Sequence, residues 1–119
     1  MYGLPEDFDP SFFIGRRLEL ICFGENTVNL HFDGELHITI ESAFIYHAPE
    51  TDSTGQREEI PVLSSEIMRL IGSSIIDCSA STDGALSLTF ENDRRLQILD
   101  TSSQYESYRI DYGQMNVIV

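Results

Sequence analysis

The sequence contains no lysine, although it has 20 acidic residues and seven arginines, which leaves a formal net charge of −13. The arginines form two doublets, Arg16-Arg17 and Arg94-Arg95, and no longer basic stretch. Nucleic-acid binding relies on clustered basic side chains that displace counterions from phosphates. The charge pattern therefore disfavours nucleic-acid binding. It fits either simple self-repulsion between molecules or attraction to a basic partner.

Cysteine and long apolar runs are equally scarce. Cys22 and Cys78 are the only cysteines, and their spacing matches neither a C-x-x-C redox motif nor a zinc motif. A secreted protein of this size usually carries a larger disulfide framework. No apolar run approaches the ~18 residues that a membrane span needs, and the acidic start from Met1 to Asp7 is unlike a signal peptide. The sequence predicts a cytoplasmic protein without membrane contact.

The chain does contain enough apolar material for one core. Of its 119 residues, 41% are hydrophobic and 23% are charged, which is close to the globular average. A chain of this length buries roughly two-thirds of its surface on folding. The composition therefore predicts one domain over residues 1–119 that needs neither a metal nor a disulfide for stability.

An internal repeat divides this domain. The matched segments are Ile14–Leu18 with Ile71–Ile75, Thr27–Asp33 with Ala85–Glu91, and Leu36–Ile40 with Leu96–Asp100. The offset grows from 57 to 58 to 60 residues, and each step falls at a turn, where insertions are tolerated. The repeat predicts halves at about residues 9–46 and 63–104, a polar linker at 47–60 and C-terminal strands at 105–119.

Each half has the alternating pattern of half-buried strands, as in Val28, Leu30 and Phe32. A two-residue Asp-Gly turn would place Phe32 opposite Glu35. Pairing Phe32 with Leu36 instead keeps the apolar side chains on one face, which predicts a longer or bulged loop. We expect the two apolar faces to meet around a pseudo-two-fold axis. The predicted core is Leu18, Leu20, Val28, Leu30, Phe32, Leu36, Ile38, Ile67, Leu70, Ile75, Leu86, Leu88, Phe90, Leu96 and Ile98.

One segment has helical signals. Residues 64–71 carry an apolar face, with Ser64 as the predicted N-cap and Gly72 in the left-handed position that ends a helix. The corresponding residues 9–15 have room for about one turn. The predicted fold class is α+β: mostly antiparallel β, with two pseudo-repeated three-strand units, one short helix and a C-terminal strand or hairpin.

Three short motifs mark the ends of these units: Phe-Asp-Gly-Glu at 32–35, Phe-Glu-Asn-Asp at 90–93 and Tyr-Glu-Ser-Tyr at 105–108. Over about residues 14–112 the chain resembles an uncharacterised family of small bacterial single-domain proteins, a domain of unknown function. The resemblance implies a bacterial, cytosolic protein. It implies no catalytic or ligand-binding residue.

The nearest approach to a metal site is the pair His31 and His37. In the register that pairs Phe32 with Leu36, the two histidines stand opposite each other, with Cβ atoms about 5 Å apart. Two imidazoles at this distance can share a metal, and Asp33 or Glu35 could add an oxygen ligand.

The alternative is an exposed polar pair on the solvent side of the sheet. The repeat favours this alternative, because Thr89 and Gln97 at the aligned positions cannot form such a site. The sequence therefore predicts no metal site, with His31 and His37 as the remaining candidates, and no cofactor.

Tyr105, Tyr108 and Tyr112 form a second candidate patch near the C-terminus. Tyrosine is enriched at protein interfaces, yet tyrosines near a strand end are as often partly buried with the hydroxyl in solvent. We therefore name these three residues as interface candidates and leave both interpretations open.

No nucleotide-binding, nucleophile or metalloprotease spacing occurs in the chain. The sequence predicts a non-enzymatic acidic binding or assembly module with a protein partner, either a second copy in a homodimer or a basic protein. The alternatives are an immunity-type inhibitor of a basic toxin and an enzyme with a pocket between the two halves.

Overall fold

A computed structural model describes residues 3–50, 54–62, 64–102 and 106–119. In these ranges the regular structure consists of ten β-strands and two four-residue 3₁₀ turns. The first half contains the first 3₁₀ turn Pro10–Phe13, β1 Leu18–Phe23, β2 Val28–Phe32, β3 Leu36–Ile40, β4 Ala43–His47 and β5 Gln56–Glu59. The second half contains the second 3₁₀ turn Ile67–Leu70, β6 Ile75–Ala80, β7 Leu86–Phe90, β8 Arg95–Leu99, β9 Tyr108–Tyr112 and β10 Met115–Ile118.

The strands form two antiparallel five-stranded sheets, in the orders β1-β2-β3-β9-β10 and β5-β4-β8-β7-β6. β4 follows β3 along the chain but pairs with β8, and β9 follows β8 but pairs with β3. Each half therefore completes the sheet that the other half begins. The sheets also meet at an antiparallel bridge between Arg17 and Ser74, just before β1 and β6.

The predicted α+β class is wrong, because the fold is antiparallel β. The segment expected to form a helix over residues 64–71 makes only the second 3₁₀ turn, and its N-cap position is Glu66 rather than Ser64. The backbone is already extended at Ile71. So short a segment cannot repay helix nucleation by itself, and strand β6 begins only a few residues later. Across the described ranges, no helix is long and apolar enough to cross a membrane.

The predicted linker at 47–60 also differs from the structure. Its last part is β5, which pairs with β4 at one border of the second sheet. Its sequence, Gln-Arg-Glu-Glu, has no apolar alternation, so hydrophobic periodicity gave no sign of a strand. The C-terminal region does contain two strands, β9 and β10, which pair as a hairpin.

A reciprocal backbone contact relates the two halves. The N–H of Gly15 donates to the C=O of Ile75 at 2.7 Å, and the N–H of Gly72 donates to the C=O of Leu18 at 2.7 Å. Leu18 and Ile75 are 57 positions apart, as are Gly15 and Gly72. The same contact is therefore made twice, as a pseudo-two-fold axis requires. Residues related in this way are called pseudo-equivalent below.

The hairpin register in the first half is the predicted one. Comparison of the two hairpins, however, changes the predicted alignment of the third strand of each unit. Phe32 pairs with Leu36 across a three-residue loop, residues 33–35. In the second half Leu88 pairs with Leu96, just as Leu30 pairs with Ile38. The offset in the third strand of each unit is therefore 58, and the expected step to 60 is wrong.

The core lies between the sheets, where the apolar faces meet. Of the residues predicted to form it, all are buried except Leu20, which is 51% exposed. Leu18 pairs with Phe32 whereas Leu20 pairs with His31, so Glu19 is an extra residue in β1. This β-bulge moves Leu20 to the outer face. β6 has the same bulge at Ile76, between Ile75 and Asp77.

Candidate functional site

His31 and His37 face each other on the outer surface of the first sheet, as predicted, with ring centroids 4.4 Å apart. Partial burial lowers the pKa of His31, and the neighbouring His37 adds to this shift. The Oδ1 atom of Asp33, one of the expected oxygen ligands, instead accepts a hydrogen bond from the Arg17 N–H at 2.7 Å. Within the described ranges, no group of three or more His, Cys, Asp or Glu side chains is placed to hold a metal ion.

The corrected offset changes which residues correspond to this pair. Thr89 pairs with Arg95 in the second sheet, so Arg95 rather than Gln97 is pseudo-equivalent to His37. Arg95 lies beside His47, with its Nη2 atom 3.2 Å from Nε2 of that ring. The outer face of each sheet therefore carries polar side chains at these pseudo-equivalent positions.

Tyr108 and Tyr112 do not form an exposed patch together. Tyr108 is fully buried, and its hydroxyl donates to the Gly84 carbonyl at 2.7 Å. Burial raises the pKa of Tyr108. Tyr112 is half-buried and stacks on Phe12, with ring centroids 5.2 Å apart. Tyr105 lies outside the described residues.

Arg16 holds Tyr112 in place, a contact that the sequence did not indicate. Its guanidinium carbon lies 4.8 Å from the centroid of the Tyr112 ring, and its Nη2 donates to the tyrosine hydroxyl. Its Nε also donates to the carbonyl of Phe12 at 3.2 Å. Tyr112 is thus part of the packing between the first 3₁₀ turn and the first sheet.

Most of the positive charge is already paired within the chain. Five of the seven arginines form ion pairs with carboxylates among the described residues: Arg17, Arg57, Arg69, Arg94 and Arg109. The remaining carboxylates carry most of the net charge of −13. The surface is therefore strongly acidic, and its few cations are engaged locally.

A groove of about 350 Å³ lies between the N-terminal segment and the end of β6. It is lined by Leu4, Pro5, Glu6, Phe8, Ala80, Ser81 and Thr82. Close by, burial raises the pKa of the Cys78 thiol, and the carboxylates of Asp77 and Asp9 raise it further. This side of the molecule therefore combines apolar surface with several carboxylates.

The outer edge of β1 has a different character. β1 is an edge strand of the first sheet. Its exposed side chains include Leu20, Cys22 and Phe23, and Phe23 has 44% of its surface accessible. Edge strands usually carry charges or prolines that discourage pairing with another chain. Between residues 20 and 23 there is neither.

The backbone of β1 is open at the same place. The N–H of Gly24 donates to the Thr27 carbonyl at 2.8 Å, which makes these two a hydrogen-bonded pair. Such pairs alternate along an antiparallel ladder, so Cys22 bonds toward β2, while Ile21 and Phe23 direct their N–H and C=O groups outward. No described residue bonds to these outward groups.

The pseudo-equivalent edge of β6 is partly covered. The N–H of Cys78, the counterpart of Ile21, donates to Oδ1 of Asp77 at 2.9 Å. The Cys78 thiol donates to the carbonyl of Pro10 at 3.0 Å, and the first 3₁₀ turn packs against β6. In β1 the residue at the position of Asp77 is Leu20, which has no acceptor to offer.

Sequence reasoning missed this edge because it assigned Leu20 to the core. The available signal was the run Leu20-Ile21-Cys22-Phe23, which has four apolar residues in a row and breaks the alternation of the neighbouring strands. A run of this kind fits a strand that is covered on both faces or one that is left open to a partner.

Comparisons with other proteins bear on the family of the chain. Searches of curated proteins and of solved structures gave no match. The sequence model of a family of unknown function, DUF6188, matches residues 11–119, which include all ten strands. The resemblance to an uncharacterised family is thereby confirmed, and the chain belongs to this family of unknown function.

Proposed function

We propose that this protein is a non-enzymatic assembly module that binds a protein strand at the open edge of β1, and that self-association is the simplest form of this activity. The observation that supports the proposal is the contrast between two pseudo-equivalent edges. On β6 the Asp77 carboxylate accepts from the outward N–H of Cys78, and the first 3₁₀ turn packs against the strand. β1 instead exposes apolar side chains and unused backbone groups.

Addition of a strand to such an edge satisfies the backbone groups and buries the apolar side chains together. The open part of β1 spans only residues 20–23, which is short for a stable interface, since stable complexes bury ~1,200 Å² or more. Association is therefore weak and depends on concentration. We place it in the cytoplasm, because both cysteines are free thiols, which fits a reducing compartment.

Salt should strengthen self-association. Two copies that each carry a net charge of −13 repel each other, and ions screen this repulsion, with a Debye length that falls from about 10 Å at 0.1 M to about 3 Å at 1 M salt. Light scattering should therefore show a mass that rises from 13.5 kDa toward twice that value as protein and salt concentrations increase.

Phe23→Glu should weaken this association at least about tenfold, because a carboxylate at an open edge opposes pairing. Ala80→Glu is the matched control: Ala80 is the pseudo-equivalent of Phe23, is also exposed, and gains the same charge. It should leave the association unchanged apart from the added repulsion. Equal loss in both variants, or a wild-type protein that stays monomeric at millimolar concentration, would contradict the proposal.

A second candidate is an immunity-type inhibitor of a basic toxin. The groove beside β6 supports it, since its lining combines apolar residues with Glu6, and the carboxylates of Asp9 and Asp77 lie near Cys78 on the same strand. Attraction to a basic partner weakens with added salt, the opposite of the trend expected for self-association. A toxin gene directly upstream of this gene would support this candidate, whereas unrelated neighbours in different genomes would argue against it.

A further inference from the structure

The open edge of β1 offers few hydrogen-bonding groups, and this restricts how a second copy can bind. At Leu18 the outward groups are already used, because its N–H donates to Ser73 at 3.0 Å and its C=O accepts from Gly72. Beyond Phe23 the strand ends in a turn. The unused outward groups in β1 are therefore those of Ile21 and Phe23.

These two residues favour one self-complementary register. If the two-fold axis passes at Ile21 or at Phe23, one residue pairs with its own copy and only two hydrogen bonds form. If the axis passes at Cys22, Ile21 pairs with the partner's Phe23 and Phe23 with the partner's Ile21. Each such pair exchanges two hydrogen bonds, so all the unused groups are satisfied.

From this we infer that two copies pair antiparallel through β1, with the two-fold axis at Cys22, and so join two five-stranded sheets into one continuous sheet. The inference rests on the proposed self-association and adds its partner and geometry. Residues directly opposite each other point to the same face. The exposed Phe23 ring therefore packs on the partner's Ile21, on the face that carries the core.

The same axis places Cys22 opposite the partner's Cys22 on the outer face. The two residues form a pair without mutual hydrogen bonds, for which the Cα atoms lie about 4.5 Å apart. This separation is within the range of about 4.4–6.8 Å that a disulfide can bridge. Cys22 is exposed, so it reports this register directly.

The test is the rate at which oxidised glutathione links two copies covalently. One Cys22 thiolate attacks the glutathione disulfide and releases one glutathione. The partner's Cys22 thiolate then displaces the second glutathione, which leaves an intermolecular disulfide and two reduced glutathiones. The protein used is Cys78→Ser, which retains Cys22 as its single cysteine. Non-reducing electrophoresis measures the covalent dimer.

The matched control carries Cys22→Ser, Cys78→Ser and Ser79→Cys together. Ser79 is exposed and is the pseudo-equivalent of Cys22 on β6, so this variant measures linking by random collision. We expect Cys22 to link at least about tenfold faster than the control at concentrations where the dimer forms. Adding Phe23→Glu should reduce the Cys22 rate to that of the control.

The outcomes separate the two proposals. Equal linking rates, together with a dimer in light scattering that Phe23→Glu disrupts, would overturn this register while self-association stands. If no dimer forms at any concentration, the proposed function fails and this inference fails with it. Fast linking at Cys22 that Phe23→Glu abolishes would support both.

Discussion

Glu58 is a carboxylate that the fold keeps away from water. It lies on β5 and is only 8% exposed. Its Oε2 accepts a hydrogen bond from the Ser65 hydroxyl at 2.8 Å, while Oε1 is buried with no partner among the described residues. Burial raises the pKa of Glu58, and the nearby Glu66 carboxylate adds to the shift. Folding therefore disfavours the charged form of Glu58 relative to the unfolded chain.

This burial makes stability depend on pH in a defined direction. Between the ordinary value of 4.5 and the raised pKa, the folded chain binds the Glu58 proton more tightly than the unfolded chain. Stability contributed by this group therefore falls as pH rises through that window. Glu58→Gln should flatten this decline in urea unfolding curves, whereas Glu59→Gln on the exposed face should not. An unchanged slope in the Glu58 variant would contradict the interpretation.

At the scale of elements, the two short 3₁₀ turns lead into the reciprocal backbone hydrogen bonds between the halves. Each is followed by a glycine with a left-handed backbone, Gly15 at φ +87° and Gly72 at φ +89°. These conformations direct the two N–H groups at Ile75 and Leu18. Glycine is needed because other residues rarely adopt positive φ.

Alanine at either glycine should therefore destabilise the fold by about 1–2 kcal/mol, the cost of a left-handed residue with a side chain. A Cβ atom at Gly15 or Gly72 would meet nothing within 4 Å, so conformation alone sets the cost and the two variants should be equal. Gly24→Ala is the control, because Gly24 has no positive φ. Denaturant melts that show clearly unequal costs at Gly15 and Gly72 would contradict the pseudo-two-fold relation.

At the scale of the whole molecule, the exchange of strands between the halves makes the fold indivisible. The first sheet takes three strands from the first half and two from the second, and the second sheet does the reverse. The hydrogen bonds between β3 and β9 and between β4 and β8 therefore link residues far apart in the chain. Neither half can complete a sheet by itself.

Fragments 1–62 and 63–119 should consequently be unfolded when alone, because each would leave an apolar face and an unpaired strand in water. When mixed, they should recover β-sheet circular dichroism and a cooperative melt. A stable, cooperatively folded fragment 63–119 would show that the strands exchanged between the halves are dispensable.

The local pattern of the sequence determined the strands of the two units, the face that each buries apart from Leu20 in β1, and the pairing of Phe32 with Leu36. Alternation with a period of two is enough for this, because a one-residue slip would expose every apolar side chain. The turn before β1 was likewise predictable, since Asp9 caps it and Pro10 opens it. These features depend on residues close together in the chain.

Only the tertiary structure decided which strands pair across the halves and which edge stays open. The alternation in β4 specifies which face is buried but not which strand forms hydrogen bonds with it. Its pairing with β8 instead of β3 therefore had no local sign. The bulge at Glu19 turns Leu20 from the core to the surface. Whether β1 is exposed depends on chain segments distant in sequence, because a strand edge is covered or left open by whatever the fold places beside it.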